Sequence, residues 1–205
     1  MNDPYQVIKD FEKALCEYTG APYAVAVNSC TNAILLAVKR QVETDYEIKM
    51  MTCYVTIPNC TYISVPMSIE NAGAFIDFED VSWEGVYQLK PLPVWDCATR
   101  FTSGMYKKGQ FQCVSFSAAK ILALEQGGAI LHDDPEADKW FRKMRFDGRT
   151  EGLEPKDDHF DIVGYHCVML SSVAAQLLVR LFHLPKHNKD QVRIYPDLSK
   201  HPAFK

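Results

Sequence analysis

Phe111-Gln112-Cys113-Val114-Ser115-Phe116-Ser117-Ala118-Ala119-Lys120, with Gln126-Gly127-Gly128-Ala129-Ile130-Leu131 close behind, carries the most information about the fold. Gln112 to Phe116 and Ala129 to His132 read as two short strands, with one lysine in the turn that leaves the first. Lys120 lies among Ala118, Ala119, Ile121 and Leu122, where partial desolvation lowers an amine's proton affinity and leaves a nucleophile. Upstream, Val94-Trp95-Asp96 ends a second apolar run on a carboxylate. A lysine able to form a Schiff base, an acid able to hold a pyridinium nitrogen and hydroxyls able to hold a phosphate are the protein-side needs of pyridoxal phosphate chemistry. The residues point there.

Working outward, helix and strand signals alternate. Asp3-Pro4 opens a helix as cap and first-turn proline, Val7, Ile8, Phe11, Leu15 and Tyr18 recur on one face, and Gly20 closes it. Tyr23 to Val27 reads as a buried strand, Asn28 to Thr31 as turn and cap, and Ala33 to Val38 as helix interior. Cys53 to Ile57 and Ala74 to Phe78 are strand-like. Between them Thr61 caps a helical segment to Asn71, which Pro66 is expected to kink by removing a backbone donor. Asp80 to Lys90 reads as loop with room for a hairpin. Asp134-Pro135 opens a helix carrying Ala137, Trp140, Phe141 and Met144 on one face, with Arg142, Lys143 and Arg145 near its C-terminal end. Gly148 to Asp158 is polar linker, Val168 to Phe182 a final apolar helix, and the last twenty residues an appendage. Alternating elements with short strands predict an α/β fold, a three-layer α/β/α sandwich around a mostly parallel sheet.

Composition sets outer limits. The 205 residues can bury one sizeable core, and 47% hydrophobic with 23% charged residues is ordinary for a globular domain. Net charge is −4, and neither sign gathers into a block, so nucleic acid and anionic membrane are not expected partners. Met1-Asn2-Asp3-Pro4-Tyr5 lacks the basic and apolar regions of a secretory signal, which predicts a cytoplasmic protein. Seven cysteines form no Cys-x-x-Cys pair, as befits buried thiols in a reducing compartment. His183 and His187, with Cys167 upstream, lack a fourth metal ligand, and no dinucleotide or nucleoside triphosphate glycine loop follows a strand, so the predicted metal content is none.

Taken in order, Phe11-Glu12, Tyr23 to Ala33, Ile57-Pro58-Asn59-Cys60-Thr61-Tyr62, Ala72-Gly73-Ala74, Trp95-Asp96-Cys97-Ala98, Ser115 to Lys120 and Gly127-Gly128-Ala129-Ile130 resemble the DegT/StrS family of fold-type I pyridoxal phosphate aminotransferases. Gly164 to Leu170 and Ala174-Ala175-Gln176-Leu177 extend the resemblance to roughly residues 5 to 185. It implies that Lys120 is both the residue that bonds the cofactor and the acid/base that moves the substrate proton. Asp96 would keep the pyridine nitrogen protonated, and Ser115 would bind the phosphate. Cys30 and Thr31 stand where the family has Gly-Thr at a helix start, a natural phosphate seat. Tyr62 occupies the aromatic position over the pyridine face. The implied function is transamination of a keto-sugar or a small carbonyl or amine substrate, with glutamate as donor, by a homodimer.

Three positions depart from the family pattern. Thr99 replaces a glutamine that touches the ring hydroxyl, and His166 and Val168 replace the asparagine and arginine of Gly-Tyr-Asn-x-Arg. His166 would then be the residue that crosses to the neighbouring subunit's phosphate. The resemblance also assigns residues 1–189 to a cofactor-binding large domain and leaves 190–205 as a short tail in place of the family's small domain, with the substrate cleft incomplete. Two other readings stay open: a non-transaminating pyridoxal phosphate enzyme, and a degenerate cofactor-binding subunit that partners a full-length enzyme. Retention of Lys120 counts against the family's sugar dehydratases, which carry a histidine there.

Overall fold

The computed structural model describes residue 3, residues 5–44 and residues 53–204. Elements run in the order α1 (Gln6–Thr19), β1 (Tyr23–Val27), α2 (Cys30–Thr44), β2 (Tyr54–Pro58), α3 (Ser64–Asn71), β3 (Phe75–Glu79), β4 (Tyr87–Leu89), β5 (Val94–Asp96), β6 (Phe111–Ser115), β7 (Gly128–His132), α4 (Pro135–Arg145) and α5 (Ser171–Phe182). One sheet has the order β1-β7-β6-β5-β4, and β2 pairs with β3 beside it. Thr56 and Lys90 exchange backbone hydrogen bonds of 2.8 and 3.0 Å, joining β2 to the residue after β4.

Strands β1, β2, β3, β5 and β6 point the same way, while β7 and β4 run against them. The predicted mostly parallel sheet is therefore present in strand direction, with antiparallel pairing wherever β7 or β4 intervenes. The physical reason is connection length and content. Parallel neighbours need a crossover, whereas residues 90–93 are too few to build one and residues 116–127 contain no helix.

Alternation along each strand builds two cores. Val25 and Val27 of β1, Cys113 of β6 and Ile130 of β7 face α2, α3 and α4. Ala24 and Ala26, Val114, and Ala129 and Leu131 face α1 and α5. Because successive side chains point to opposite faces, one strand sequence serves both layers, and the three-layer α/β/α sandwich follows. Among the described residues no helix is long and apolar enough to cross a membrane. None of the seven cysteines is in a disulfide.

Several local expectations shift. Asp3 Oδ1 accepts the Tyr5 N–H at 2.9 Å as helix α1 begins, while Pro4 lies outside the described residues. Pro66 does not kink its helix: α3 starts at Ser64, so Pro66 falls in the first turn, where an N–H has no intrahelical acceptor to lose. Thr61 does not cap it either, since its hydroxyl bonds the Tyr87 hydroxyl. The 80–90 segment contains β4, paired to β5 through Gln88 opposite Trp95. The 190–204 segment is no appendage. It runs back across the molecule, with Leu198 buried and its N–H donated to the Asn59 carbonyl at 2.9 Å.

Candidate active site

The carboxyl ends of β1, β2, β5 and β6 share one edge of the sheet because those strands run in one direction. Asp96 is the last residue of β5 and Ser115 the last of β6, and α2 begins three residues after β1. In open α/β sheets a crevice forms at that edge, and here it is a cavity of about 450 Å³. Lys120, Asp96, Ser115, Tyr62, Cys30, Thr31 and Thr99 all line it. His166 does not: it is exposed, its Nδ1 2.8 Å from the Asp147 carboxylate.

Asp96 is 5% exposed. Its Oδ1 accepts the Ala98 N–H at 2.8 Å, and its Oδ2 accepts the Tyr87 hydroxyl at 2.9 Å. Burial pushes its proton affinity up, against the pull of those two donors and of the Lys120 charge. Among the described residues no cation comes within ion-pair distance of it. A buried carboxylate held by two neutral donors and facing a cavity is suited to a cationic ligand group. Lys120 sits in the turn that follows β6, its N–H donated to the Ser117 carbonyl at 2.9 Å. Burial lowers its proton affinity, with Cys30 and Asp96 opposing and Arg193 assisting.

The opposite wall is the first turn of α2. Ser29 Oγ accepts the Asn32 N–H at 3.2 Å, and Thr31 Oγ1 donates to Ser64 Oγ at 2.9 Å. Cys30 lines the wall here, and burial pushes its thiol well above the ordinary range. Ser115 and Ser117 hydroxyls lie 3.5 Å apart across from it. Gly128 explains the glycine pair. A Cβ there would stand 2.5 Å from the Ser29 carbonyl carbon and closer still to the Cys30 nitrogen, so only glycine lets β7 pass the amino end of α2. Gly128→Ala is expected to displace that helix end and cost about 1–3 kcal/mol as an overpacked contact. Chemical denaturation, together with phosphate affinity of the variant, checks it.

Side chains to which the sequence reading gave no role at the site complete the cavity. Thr61 and Ser64 follow β2, Trp83 comes from the 80–86 loop, Ser117 and Gln126 flank Lys120, and Arg193 and Tyr195 come from the carboxy-terminal segment. Trp83 donates its Nε1–H to the Cys60 carbonyl at 2.9 Å and stacks on Tyr195 with ring centres 6.1 Å apart. Thr99 is buried with its hydroxyl donated to the Gly85 carbonyl at 2.9 Å.

A profile of the DegT/DnrJ/EryC1/StrS aminotransferase family matches residues 2–106 and 92–201. The chain belongs to this family. One relative, the UDP-4-amino-4,6-dideoxy-N-acetyl-beta-L-altrosamine transaminase of Campylobacter jejuni, is 22% identical over 246 aligned positions, covering 96% of this chain and 63% of its own. The crystal structure of the sugar aminotransferase CalS13 from Micromonospora echinospora superposes with a TM-score of 0.72 at 17% identity, over 86% of this chain and 60% of that one. A GDP-4-keto-6-deoxymannose-3-dehydratase with a trapped PLP-glutamate geminal diamine superposes with a TM-score of 0.67 at 17% identity, over 87% and 61%. These likenesses show the fold-type I architecture, and this chain spans about three fifths of the length of those relatives. Pyridoxal 5'-phosphate is the cofactor of the family. The residues present fit it: an amine and a buried carboxylate that have no ion-pair partner among the described residues, and a helix start kept open by Gly128 beside two serines.

Proposed function

We propose that the protein is a pyridoxal phosphate-dependent aminotransferase acting on a keto-sugar or a related small carbonyl substrate. The observation that carries this reading is one cavity holding the Lys120 amine and the Asp96 carboxylate as the only charged side chains besides Arg193 among the described residues lining it. When bound, the cofactor supplies an electron sink for the bond-breaking carbon of the substrate. Lys120 would hold the cofactor's carbonyl carbon and would carry the substrate proton, a role that suits an amine whose proton affinity burial lowers. Asp96, fixed by Tyr87 and Ala98, holds the ring nitrogen. Ser115, with Cys30 and Thr31 at the start of α2, seats the phosphate. Tyr62 covers the ring face and Thr99 shapes the wall beside it.

The sugar-transaminase name of the Campylobacter jejuni relative supports the substrate class, and a dehydratase among the structural neighbours means that the fold alone does not choose the reaction. Lys120 supports transamination. The protein works in this reading as a cytoplasmic homodimer, in keeping with seven cysteines outside any disulfide, with His166 reaching the partner's phosphate.

The test is the visible absorption of the purified protein with pyridoxal phosphate, followed as amino donors are added. An absorption band that shifts with a donor supports the reading, and no uptake of the cofactor refutes it. Asp96→Asn is expected to slow amino transfer by about 10- to 100-fold, the size of a charged hydrogen bond of roughly 1.5–3 kcal/mol, with a smaller loss of cofactor affinity. Half-reaction rates equal to the parent's would remove Asp96 from the chemistry.

A further inference from the structure

Residues 190–198 form a strap over the cavity mouth. At one end Asp190 pairs with Arg100, Nε to Oδ1 at 2.9 Å, and the Gln191 N–H donates to the Thr99 carbonyl at 2.9 Å. At the other end Leu198 is buried and Asp197 bridges to Cys60. Between these anchors the chain is extended, so alternate residues face opposite sides. Val192 and Ile194 point outward, 80% and 98% exposed, while Arg193 and Tyr195 line the cavity. Hydrophobic burial would favour the reverse. Arg193 lines the cavity while itself exposed at its rim, and Tyr195 is half-buried beside it, so the strap holds an arginine where the cavity opens to solvent.

Arg193 meets the Lys120 turn directly. Its guanidinium and the Gln191 amide Nε2, the latter at 3.0 Å, both donate to the Ala119 carbonyl. Among the described residues no carboxylate lies within ion-pair distance of Arg193. Of five N–H donors in a planar fork, most remain for a ligand. Asp96, the cavity's one carboxylate, is already held by Tyr87 and Ala98.

We propose that Arg193 is the anion-recognising residue of this site and receives a carboxylate or phosphate-ester group of the substrate whose reacting carbon lies at Lys120. This rests on the assignment of Lys120 above. It makes the strap a specificity wall supplied by the chain itself.

The test is calorimetric binding to the full chain preincubated with pyridoxal phosphate. Glutarate probes a donor carboxylate and glucose 1-phosphate a phosphate ester, with glutaramide and glucose as uncharged counterparts. Arg193→Gln is expected to weaken at least one of the two anions by about tenfold or more, as loss of a charge-assisted contact does, and to leave the uncharged ligands unaffected. Arg193→Lys is expected to recover most of the loss. The anion that responds identifies the source. Equal affinities of the parent and Arg193→Gln for both anions, or no anion binding by the parent, overturn the proposal. Borohydride labelling of Lys120 on the same samples reports separately on the cofactor assignment.

Discussion

Replacing Lys120 with alanine is expected to abolish borohydride-stable labelling by pyridoxal phosphate and to slow amino transfer by about 10²–10⁴-fold, the range for loss of a positioned acid/base. Stability is expected to stay within about 0.5 kcal/mol of the parent, because the amine has no ion-pair partner among the described residues and its loss relieves the desolvation that already lowers its proton affinity. That contrast separates a chemical role from a structural one. Lys120→Arg keeps the charge but not the nucleophile and is expected to behave like the alanine variant in labelling. Peptide mapping after reduction checks both, and a label on another lysine would overturn the assignment.

The second large effect lies behind the site. Glu12 of α1 is 4% exposed and Arg145 of α4 is 1% exposed, and the two form an ion pair. Glu12 Oε1 also accepts the Ala26 N–H at 2.9 Å, and its Oε2 accepts from Arg142 at 2.8 Å. Arg145 continues to Glu151 at 2.7 Å and donates to the Ala26 carbonyl at 2.6 Å. The network thus clamps β1 one residue before its end, where the chain turns toward Ser29 and the start of α2.

Glu12→Ala is expected to cost about 3–5 kcal/mol, because it strands a buried guanidinium. Replacing Glu12 and Arg145 together by leucine and methionine is expected to restore much of that, since the buried guanidinium leaves with its carboxylate, Arg142 keeps Asp138, and only the more exposed Glu151 loses its partner. Burial raises the Glu12 carboxyl's proton affinity, but Arg145 and Arg142 outweigh it, so the folded value lies below the ordinary 4.5. The unfolded state therefore binds the proton first as pH falls. The stabilisation is full above about 4.5 and is lost progressively below it, through the folded value. Urea denaturation from pH 7 to pH 3 checks this: the parent is expected to lose stability more steeply than Glu12→Gln in the acid limb. Parallel curves would show that Glu12 does not titrate on unfolding.

The sequence by itself determined the layer architecture and named seven of the residues that line the cavity. Strand alternation and helix periodicity are local properties, and Val25, Val27, Ala24 and Ala26 declare both faces of β1 in one short run. Asp134 and Pro135 announced α4, because a cap acts within three residues: the Asp134 carboxylate accepts the Glu136 and Ala137 N–H groups at 2.8 and 3.1 Å. Lys120, Asp96 and Ser115 were legible because each ends or follows an apolar run, and the carboxyl ends of parallel strands converge. Tertiary structure alone decided the rest. Pro66 harms a helix interior but not a first turn, and only the folded start of α3 tells the two apart. The reversed direction of β4 depends on pairing with β5 and β2, contacts that no local pattern encodes. Arg193 and Tyr195 lie in a short segment outside any helix or strand, and their place at the cavity is set by anchors at Arg100 and Asn59, residues 90 and 139 positions away from Asp190 and Leu198. Short-range preferences specify elements, whereas a strap is placed by long-range pairs whose free energy appears only once the elements they join are assembled.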